Sequence, residues 1–306
     1  MTTFTQKNAA VLAVTLLAFL PLHAGGVGTS GANFLKSGVG ARPLAMAGAA
    51  VSTVDDANAI YWNPSRLARM NDTSVTATYA SLFEDQSQGF LGGATPFRDL
   101  GVIGLGVNYL TVTDIEKRAG DTESADSTFK DQEYSASLSY ARKSVVWETL
   151  DLGGNVKMVH QSLDTINETA YAADIGATVL VTEKITTGLT VQNLGTKLGP
   201  DSLPVLVKAG GDWRLFSDKL TLALDGNAWV TDKRYTGNAG TEFWLANPLA
   251  LRAGYRFGQG PEHLGGSVGL AVGVGFRLSS LTLDYAFLPA GDLGDTHRLS
   301  FGARFK

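Results

Sequence analysis

The stretch "HRLSFGARF", His297–Phe305, alternates between two kinds of side chain. One face of an extended chain is apolar here and the other is small or charged, with Leu299, Phe301, Ala303 and Phe305 against Arg298, Ser300, Gly302 and Arg304. Successive side chains of a strand point to opposite faces, so the stretch predicts a strand between an apolar and a polar environment. A transmembrane β-barrel, with lipid outside and a polar lumen, supplies both environments.

The same alternation recurs upstream, in segments of about ten residues separated by turn residues. The polar faces carry mainly Gly, Ser, Ala and Thr, which favours a crowded lumen over the solvated face of a soluble sandwich or periplasmic barrel. The sequence therefore predicts an all-β fold, a transmembrane antiparallel barrel of about fourteen strands over residues 73–306. The strands are placed at 73–83, 87–96, 101–114, 129–142, 149–163, 168–181, 184–193, 204–216, 219–231, 236–245, 248–258, 265–277, 280–288 and 296–305.

Connection lengths give a second test, because outer-membrane barrels have short periplasmic turns and longer outer loops. If the first strand runs outward, the connections near "TPFRD", "VTEK", "FSDK", "LANP" and "LSS" are periplasmic, and all are short. The outward ones include "DIEKRAGDTESADSTFKD", "NLGTKLGPDSLP", "GQGPEHLG" and "LPAGDLGDT", and most are longer. This asymmetry is typical of an outer-membrane barrel.

Composition excludes several classes of protein. The chain has 306 residues, a net charge of -4, 36 glycines and no cysteine. It is therefore neither a disulfide scaffold nor a thiolate metal protein, and its charge does not indicate nucleic-acid binding. Glycine without a collagen-like period fits strands and tight turns.

The N-terminus has the pattern of a cleaved export signal over residues 1–24. Lys7 precedes the apolar run "AAVLAVTLLAFLPL", and a small residue stands at Ala24. A retained anchor is the alternative, but the run is too short for a spanning helix. No later segment approaches 18 consecutive apolar residues. An exported chain without cysteine suits the outer membrane of a Gram-negative bacterium. Outer-membrane lipid is then one of its expected partners.

Residues 25–72 lie between the signal and the first strand and are too few for a domain of their own. Ala45 to Asn63 is rich in alanine, with apolar residues at helical spacing, and Pro64 disfavours helical geometry at Asn63. We expect a helix that ends near Asn63 and a segment that folds into the barrel mouth as a hatch.

The segment "GARPLAMAGAAVSTVDDANAIYWNPSRLA" resembles the N-terminal signature of the PorV/PorQ family of outer-membrane barrels, which are similar to FadL-type transporters. The ending "LDYAFLPAGDLGDTHRLSFGARF" is similar to the last hairpin of that family, from Asp284 to Arg298. The matching N-terminal residues are Ala41, Arg42, Met46, Gly48, Ala49, Asp55, Asp56, Ala57, Tyr61, Trp62, Asn63 and Pro64.

The resemblance implies a fourteen-stranded barrel with an N-terminal hatch inside it. The named family members accompany exported cargo in type IX secretion, whereas FadL-type relatives carry hydrophobic molecules through a lateral opening. This chain is considerably shorter than FadL, with shorter outer loops, so their external capture site is in question.

The charged and aromatic residues of this pattern also have structural interpretations. Asp55 and Asp56 are expected to terminate a helix or to pair with inward arginines, and Tyr61 and Trp62 to anchor the hatch. Plugging is favoured over direct contact with cargo. The candidate lumen charges are Arg252, Arg256, Asp284, Arg298 and Arg304. Several strand aromatics are expected to form interfacial girdles, among Trp213, Trp229, Trp244, Tyr109, Tyr140, Tyr255 and Tyr285.

Enzyme, metal and cofactor motifs are weak. "GVGTSG" (26–31) fits a dinucleotide pattern but follows no strand. "GGSVG" (265–269) fits a serine-hydrolase elbow without its helix, which leaves Ser267 with His263 or His297 a distant alternative. The acidic loop 120–131 lacks EF-hand spacing, and the histidines are dispersed. We predict no cofactor, no metal and no catalysis.

Two functions remain from the sequence. The first is a plugged barrel that engages a secretion-system protein or exported cargo, and the second is passage of a hydrophobic small molecule. Transport needs an apolar pocket and a movable hatch, and Phe34, Leu35, Met46 and Ile60 are candidate lining residues. Inward Gly, Ser and Arg favour a filled lumen and thus the first function.

Overall fold

The computed structural model describes residues 30–82, 86–97, 100–258, 268–291 and 294–306. The expected signal, residues 1–24, lies outside these ranges. Fourteen strands form one closed antiparallel barrel, in which each strand pairs with its sequence neighbours and the first pairs with the last. The strands are β1 Thr73–Ser81, β2 Gln86–Phe97, β3 Gly101–Lys117, β4 Ser127–Arg142, β5 Leu150–Leu163, β6 Ile166–Leu180, β7 Ile185–Gly195, β8 Leu206–Leu215, β9 Leu220–Trp229, β10 Arg234–Ala246, β11 Leu249–Phe257, β12 Leu270–Leu278, β13 Leu281–Pro289 and β14 Asp295–Phe305.

The predicted fold class is thus confirmed, and each predicted strand overlaps its observed counterpart. The largest difference is at β12, which was expected from residue 265 but begins at Leu270 in the described part. Pairing registers run without a gap around the described wall, with shifts at three places, in β3, β6 and β10. No lateral opening is present among the described strands.

The two ends of the barrel differ. The start of β1 and the end of β14 lie together, since Thr73 pairs with Phe305; we call this the terminal end and the opposite end the distal end. The distal connections 118–126 and 196–205 are long, but 164–165 and 230–233 are tight turns. At the terminal end the connections are short except 143–149.

The outward face of the wall is apolar. Tyr79, Leu105 and Leu224 are 56%, 63% and 67% exposed, and other large apolar side chains continue around the wall. Exposure of so much apolar surface is unfavourable in water and favourable in lipid. None of the helices in the described residues is long and apolar enough to cross a membrane.

Two of the expected girdle aromatics face the lumen instead. Trp229 and Trp244 share the inward side of their strands with Asn227 and Glu242, both buried. Each packs near a cation, since Lys36 Nζ lies 6.0 Å from the Trp229 ring and the Arg277 guanidinium 4.5 Å from the Trp244 ring. Trp213, Tyr109, Tyr140 and Tyr255 are exposed on the outer face.

Residues 30–72 fill the lumen as a mostly irregular segment, which we call the hatch. It contains two one-turn α-helices, α1 (Ala41–Ala45) and α2 (Ala59–Trp62), and 3₁₀ helices at Asn33–Lys36 and Pro64–Arg69. The expected continuous helix over Ala45–Asn63 is wrong. Ala47 and Gly48 have φ of 54° and 80°, which ends α1.

The end of the predicted helix is placed correctly. The helix α2 stops at Trp62, and Asn63 has extended geometry with φ -164° before Pro64. The Asn63 side chain then accepts hydrogen bonds from the Ser65 amide at 3.2 Å and the Ser65 hydroxyl at 2.7 Å. Asn63 therefore caps the 3₁₀ helix that follows.

Glycines on the wall allow the hatch backbone to approach closely. A Cβ on Gly153 of β5 would lie 2.6 Å from the Pro64 carbonyl carbon, and a Cβ on Gly240 of β10 would lie 2.6 Å from the Met46 carbonyl oxygen. Any larger residue at either position would displace the hatch. The apolar core is accordingly shared, with Leu44, Ile60 and Trp62 of the hatch packed against Phe90 and Val102 of the wall.

Candidate functional site

A cavity of about 830 Å³ occupies the distal end of the barrel, above the hatch. Its wall is partly apolar and its floor is formed by the beginning of the hatch, residues 30–34 with Ser37 and Ala47. The larger apolar side chains of the lining include Phe34, Leu82, Leu110, Val112, Leu163, Leu270 and Leu288. We call this space the distal cavity.

The connection between β7 and β8, residues 196–205, packs against the start of the hatch. The Gly31 amide donates a hydrogen bond to the Ser202 carbonyl at 3.0 Å, and Leu198 and Leu203 join Phe34 and Leu35 in one buried apolar cluster. The floor of the distal cavity is therefore fixed by contacts with this connection as well as with the wall.

Of the four hatch residues expected to line an apolar pocket, Phe34 alone lies on the distal cavity. Leu35 and Ile60 are buried against neighbouring apolar groups. Met46 packs with Ala49 and the wall residue Ala223.

An ion-pair network joins the hatch to the wall near the terminal end. The Arg42 guanidinium donates to both carboxylate oxygens of Glu242 on β10, at 2.8 and 3.0 Å, and to Asp55 at 2.6 Å. Arg304 of β14 also donates to Asp55, at 3.1 Å. A bidentate arginine–carboxylate contact fixes orientation as well as distance.

The two adjacent aspartates have different surroundings. Removal from water opposes charge on Asp55, but Arg42 and Arg304 outweigh it and lower the pKa of its carboxyl. Removal from water and the neighbouring Asp55 charge raise the pKa of Asp56. Asp56 accepts a hydrogen bond from the Asn58 amide at 2.9 Å, at the start of α2.

The remaining candidate lumen charges bind other groups. Arg252 donates to Glu242 at 2.6 Å and to Asp284 at 2.7 Å. Arg298 donates to the Gly38 and Ser37 carbonyls, both at hydrogen-bonding distance, and to Gln88 at 2.9 Å; Arg256 lies 3.4 Å from the Ala47 carbonyl oxygen. Of the four arginines expected beside Asp55 and Asp56, Arg304 alone has a hydrogen bond to this pair in the described structure.

Tyr61 and Trp62 hold the hatch together. The Tyr61 hydroxyl accepts from the Gly38 amide at 3.1 Å and donates to the Leu35 carbonyl at 2.7 Å, while Trp62 Nε1 donates to the Val39 carbonyl at 2.9 Å. Burial raises the pKa of Tyr61 to about 12. These bonds tie α2 to the residues under the distal cavity.

Gly48 is a second point of attachment. Its carbonyl accepts from Lys208 Nζ at 2.6 Å and from Asn238 Nδ2 at 3.0 Å. Asp225 on β9 accepts from the Ala50 and Val51 amides at 2.7 and 3.0 Å. Wall side chains therefore satisfy the backbone polar groups of the irregular hatch, as a buried segment requires.

Two smaller spaces lie around the hatch. One of about 180 Å³ is bordered by Tyr61, Trp62 and Trp229. The other, of about 260 Å³, lies on the terminal side and is lined by charged residues including Arg66, Asp212 and Arg214. The lumen thus changes from partly apolar at the distal end to charged at the terminal end.

Of the three residues considered for catalysis, the structure describes His297 alone. His297 lies on the outward face, exposed, with its Nδ1 2.8 Å from the Tyr285 hydroxyl. Ser267 and His263 lie outside the described residues, as does most of "GVGTSG". Within the described ranges no group of three or more His, Cys, Asp or Glu residues could hold a metal ion.

No protein-family model matches the sequence, and no curated protein matches it. Solved structures do match. The toluene transporter TodX of Pseudomonas putida has a TM-score of 0.65 at 11% identity, and the toluene transporter TbuX of Ralstonia pickettii 0.61 at 14% identity. Each alignment covers 88% of this chain and 99% of the other.

A FadL homologue of Pseudomonas aeruginosa also matches, with a TM-score of 0.55 and 13% identity over 92% of this chain and 99% of that one. At these identities the likeness concerns the fold. The neighbours are FadL-family barrels. Two of these three neighbours are toluene transporters, and none of the comparisons supports PorV/PorQ membership in particular.

Proposed function

We propose that the chain is an outer-membrane barrel that passes small hydrophobic molecules inward, with the distal end outside and the hatch as its gate. The observation that carries this proposal is the distal cavity, a space of about 830 Å³ with partly apolar walls that is closed below by the hatch. Ligand sites are commonly concave, largely apolar and of this size. The neighbours TodX and TbuX are toluene transporters, which supports the same choice.

The hatch must move for passage through the lumen. In this structure Leu44, Ile60 and Leu67 are buried between hatch and wall, so the described lumen holds no open channel. A ligand that enters the distal cavity would therefore wait above a closed gate.

Uptake of N-phenylnaphthylamine by cells tests this proposal, because the dye fluoresces once it has crossed the outer membrane. Cells that produce the barrel should take up the dye several-fold faster than cells without it. Val112→Trp, which places an indole in the distal cavity, should remove most of this gain. Thr111→Trp is the matched control, because its side chain lies on the opposite face of β3.

Equal uptake with and without the barrel, at equal amounts of folded protein, would contradict the proposal. Copurification of a stoichiometric protein partner without any bound lipophilic molecule, measured by native mass spectrometry, would instead support the secretion role.

A further inference from the structure

The seven buried carboxylates of the described structure differ in whether they have an ion-pair partner. Six of them lie within 4.0 Å of a lysine or arginine nitrogen: Asp151, Asp174, Asp212, Asp225, Asp232 and Glu242. The seventh, Glu133 on β4, is 7% exposed and has neither an ion pair nor a side-chain hydrogen bond within the described residues. Burial of a carboxylate without a partner is unfavourable, so its presence in a native lumen calls for a functional explanation.

Glu133 lines the distal cavity. It lies on the inward side of β4, and Asp131 and Gln161 line the same part of the wall. Gln161 Nε2 lies 3.5 Å from Asp131 Oδ1, so the Gln161 amide donates to Asp131 and not to Glu133. The apolar side chains of Leu110, Leu163 and Phe34 complete the surroundings. The wall at Glu133 thus combines apolar side chains with a carboxylate that has no hydrogen-bond donor among the described residues.

The basic residues of the cavity are placed differently. Arg298 binds two hatch carbonyls and Gln88, and Arg256 lies against the Ala47 carbonyl. These arginines therefore hold the hatch, whereas Glu133 makes no ion pair or side-chain hydrogen bond with a described residue. A ligand in the cavity therefore finds an acceptor without a described donor at Glu133, whereas both terminal nitrogens of Arg298 already donate to the hatch or to Gln88.

We propose that Glu133 is the polar recognition point of the distal cavity and binds the ammonium group of an apolar amine. The inference rests on the proposed function, since it names the class of hydrophobic molecule that the cavity takes. An ammonium supplies charge and hydrogen-bond donors to Glu133, with Asp131 close by, while the hydrocarbon part lies on Leu110 and Leu163. A metal ion would need more oxygen ligands than this wall offers.

Three probes with the same hydrocarbon part test the inference: phenylbutylamine, phenylbutanol and phenylpentanoate. Binding of each to the barrel in lipid nanodiscs at neutral pH is measured by titration calorimetry, with empty nanodiscs to subtract partitioning. The wild type should bind the amine at least about tenfold more tightly than the alcohol, as a charge-assisted hydrogen bond implies. The carboxylate should bind most weakly.

Glu133→Gln should abolish the preference for the amine and retain binding of the alcohol. The variant loses no described partner, so the barrel should fold at least as stably as the wild type. Glu116→Gln is the matched control, because Glu116 is exposed at the distal end and pairs with Arg118. This control should keep the full preference.

The possible outcomes separate the two proposals. If amine and alcohol bind equally to the wild type, or if Glu133→Gln keeps the preference, the role of Glu133 is wrong while the transport proposal stands. If none of the three probes binds above the empty nanodisc, the distal cavity is not a site for hydrophobic ligands, and both proposals fail.

Discussion

Arg42 of the hatch donates two hydrogen bonds to Glu242 of the barrel wall, at 2.8 and 3.0 Å. The pair is largely buried, with side chains 16% and 3% exposed. It joins residues 200 positions apart, and Arg252 approaches the same carboxylate from the neighbouring strand. The contact therefore anchors the hatch near the terminal end, far from the distal cavity that the hatch closes.

Arg42→Ala should loosen the hatch. Loss of one member leaves Glu242 with Arg252 alone, so we expect the free energy of unfolding in detergent to fall by about 2 kcal/mol. Arg118→Ala is the control, because Arg118 pairs with Glu116 on an exposed distal connection and should change stability by less than about 0.5 kcal/mol. Equal stability of the two variants would show that the Arg42 contact does not hold the hatch.

Acid should weaken the same attachment through Asp55. The folded protein lowers the pKa of this carboxyl, so on acidification the unfolded chain takes up the proton first. The contribution is complete above the ordinary pKa of about 4 and is lost as the pH falls toward the folded value. Denaturant titrations between neutral and acid pH should show a steeper loss for the wild type than for Asp55→Asn. Parallel curves would contradict this assignment.

Because the hatch lies so close to the wall, a methyl group added between them should reduce stability. Gly153→Ala would place a methyl group 2.6 Å from the backbone of Pro64 and should reduce stability by roughly 1–3 kcal/mol. Gly93→Ala is the matched control, because the nearest heavy atom to its added Cβ is 4.0 Å away. Unfolding midpoints of the two variants give the comparison, and a neutral effect at Gly153 would mean that the hatch backbone does not lie against β5.

The sequence predicted the wall well because a strand between lipid and lumen repeats every two residues. That local pattern places "HRLSFGARF" and its counterparts in the correct register of inside and outside. The expectation that failed is the girdle position of Trp229 and Trp244. It was based on their aromatic character, whereas the alternation of their strands puts both on the lumen side.

The path of the hatch could not be predicted in the same way. Its turn at Ala47 and Gly48 depends on wall groups such as Asp225, which binds the Ala50 and Val51 amides from 174 residues or more away in sequence. Local helical spacing contains no information about such partners, so a single helix was expected. The stop before Pro64 was predicted correctly because proline acts on its immediate neighbour.

Part of the candidate site was overlooked although a signal existed. Glu133 precedes Ser135, Ser137 and Ser139 on the polar face of β4, so strand parity already placed its carboxylate inside the barrel. Its lack of a described partner could not be predicted, because that depends on which residues neighbouring strands and the hatch bring near it.

The most direct test of the hatch as a gate is to tether it. The hydroxyl oxygens of Ser65 and Thr178 are 2.7 Å apart across the boundary between hatch and wall, and the natural chain has no cysteine. Ser65→Cys with Thr178→Cys should form a disulfide in an oxidising compartment.

The measurement is N-phenylnaphthylamine uptake by cells with this double variant, compared with both single variants and with disulfide formation verified by mass spectrometry. We expect normal uptake with each single variant and uptake near that of barrel-free cells with the disulfide. Undiminished uptake through the tethered barrel would contradict the claim that the hatch must move.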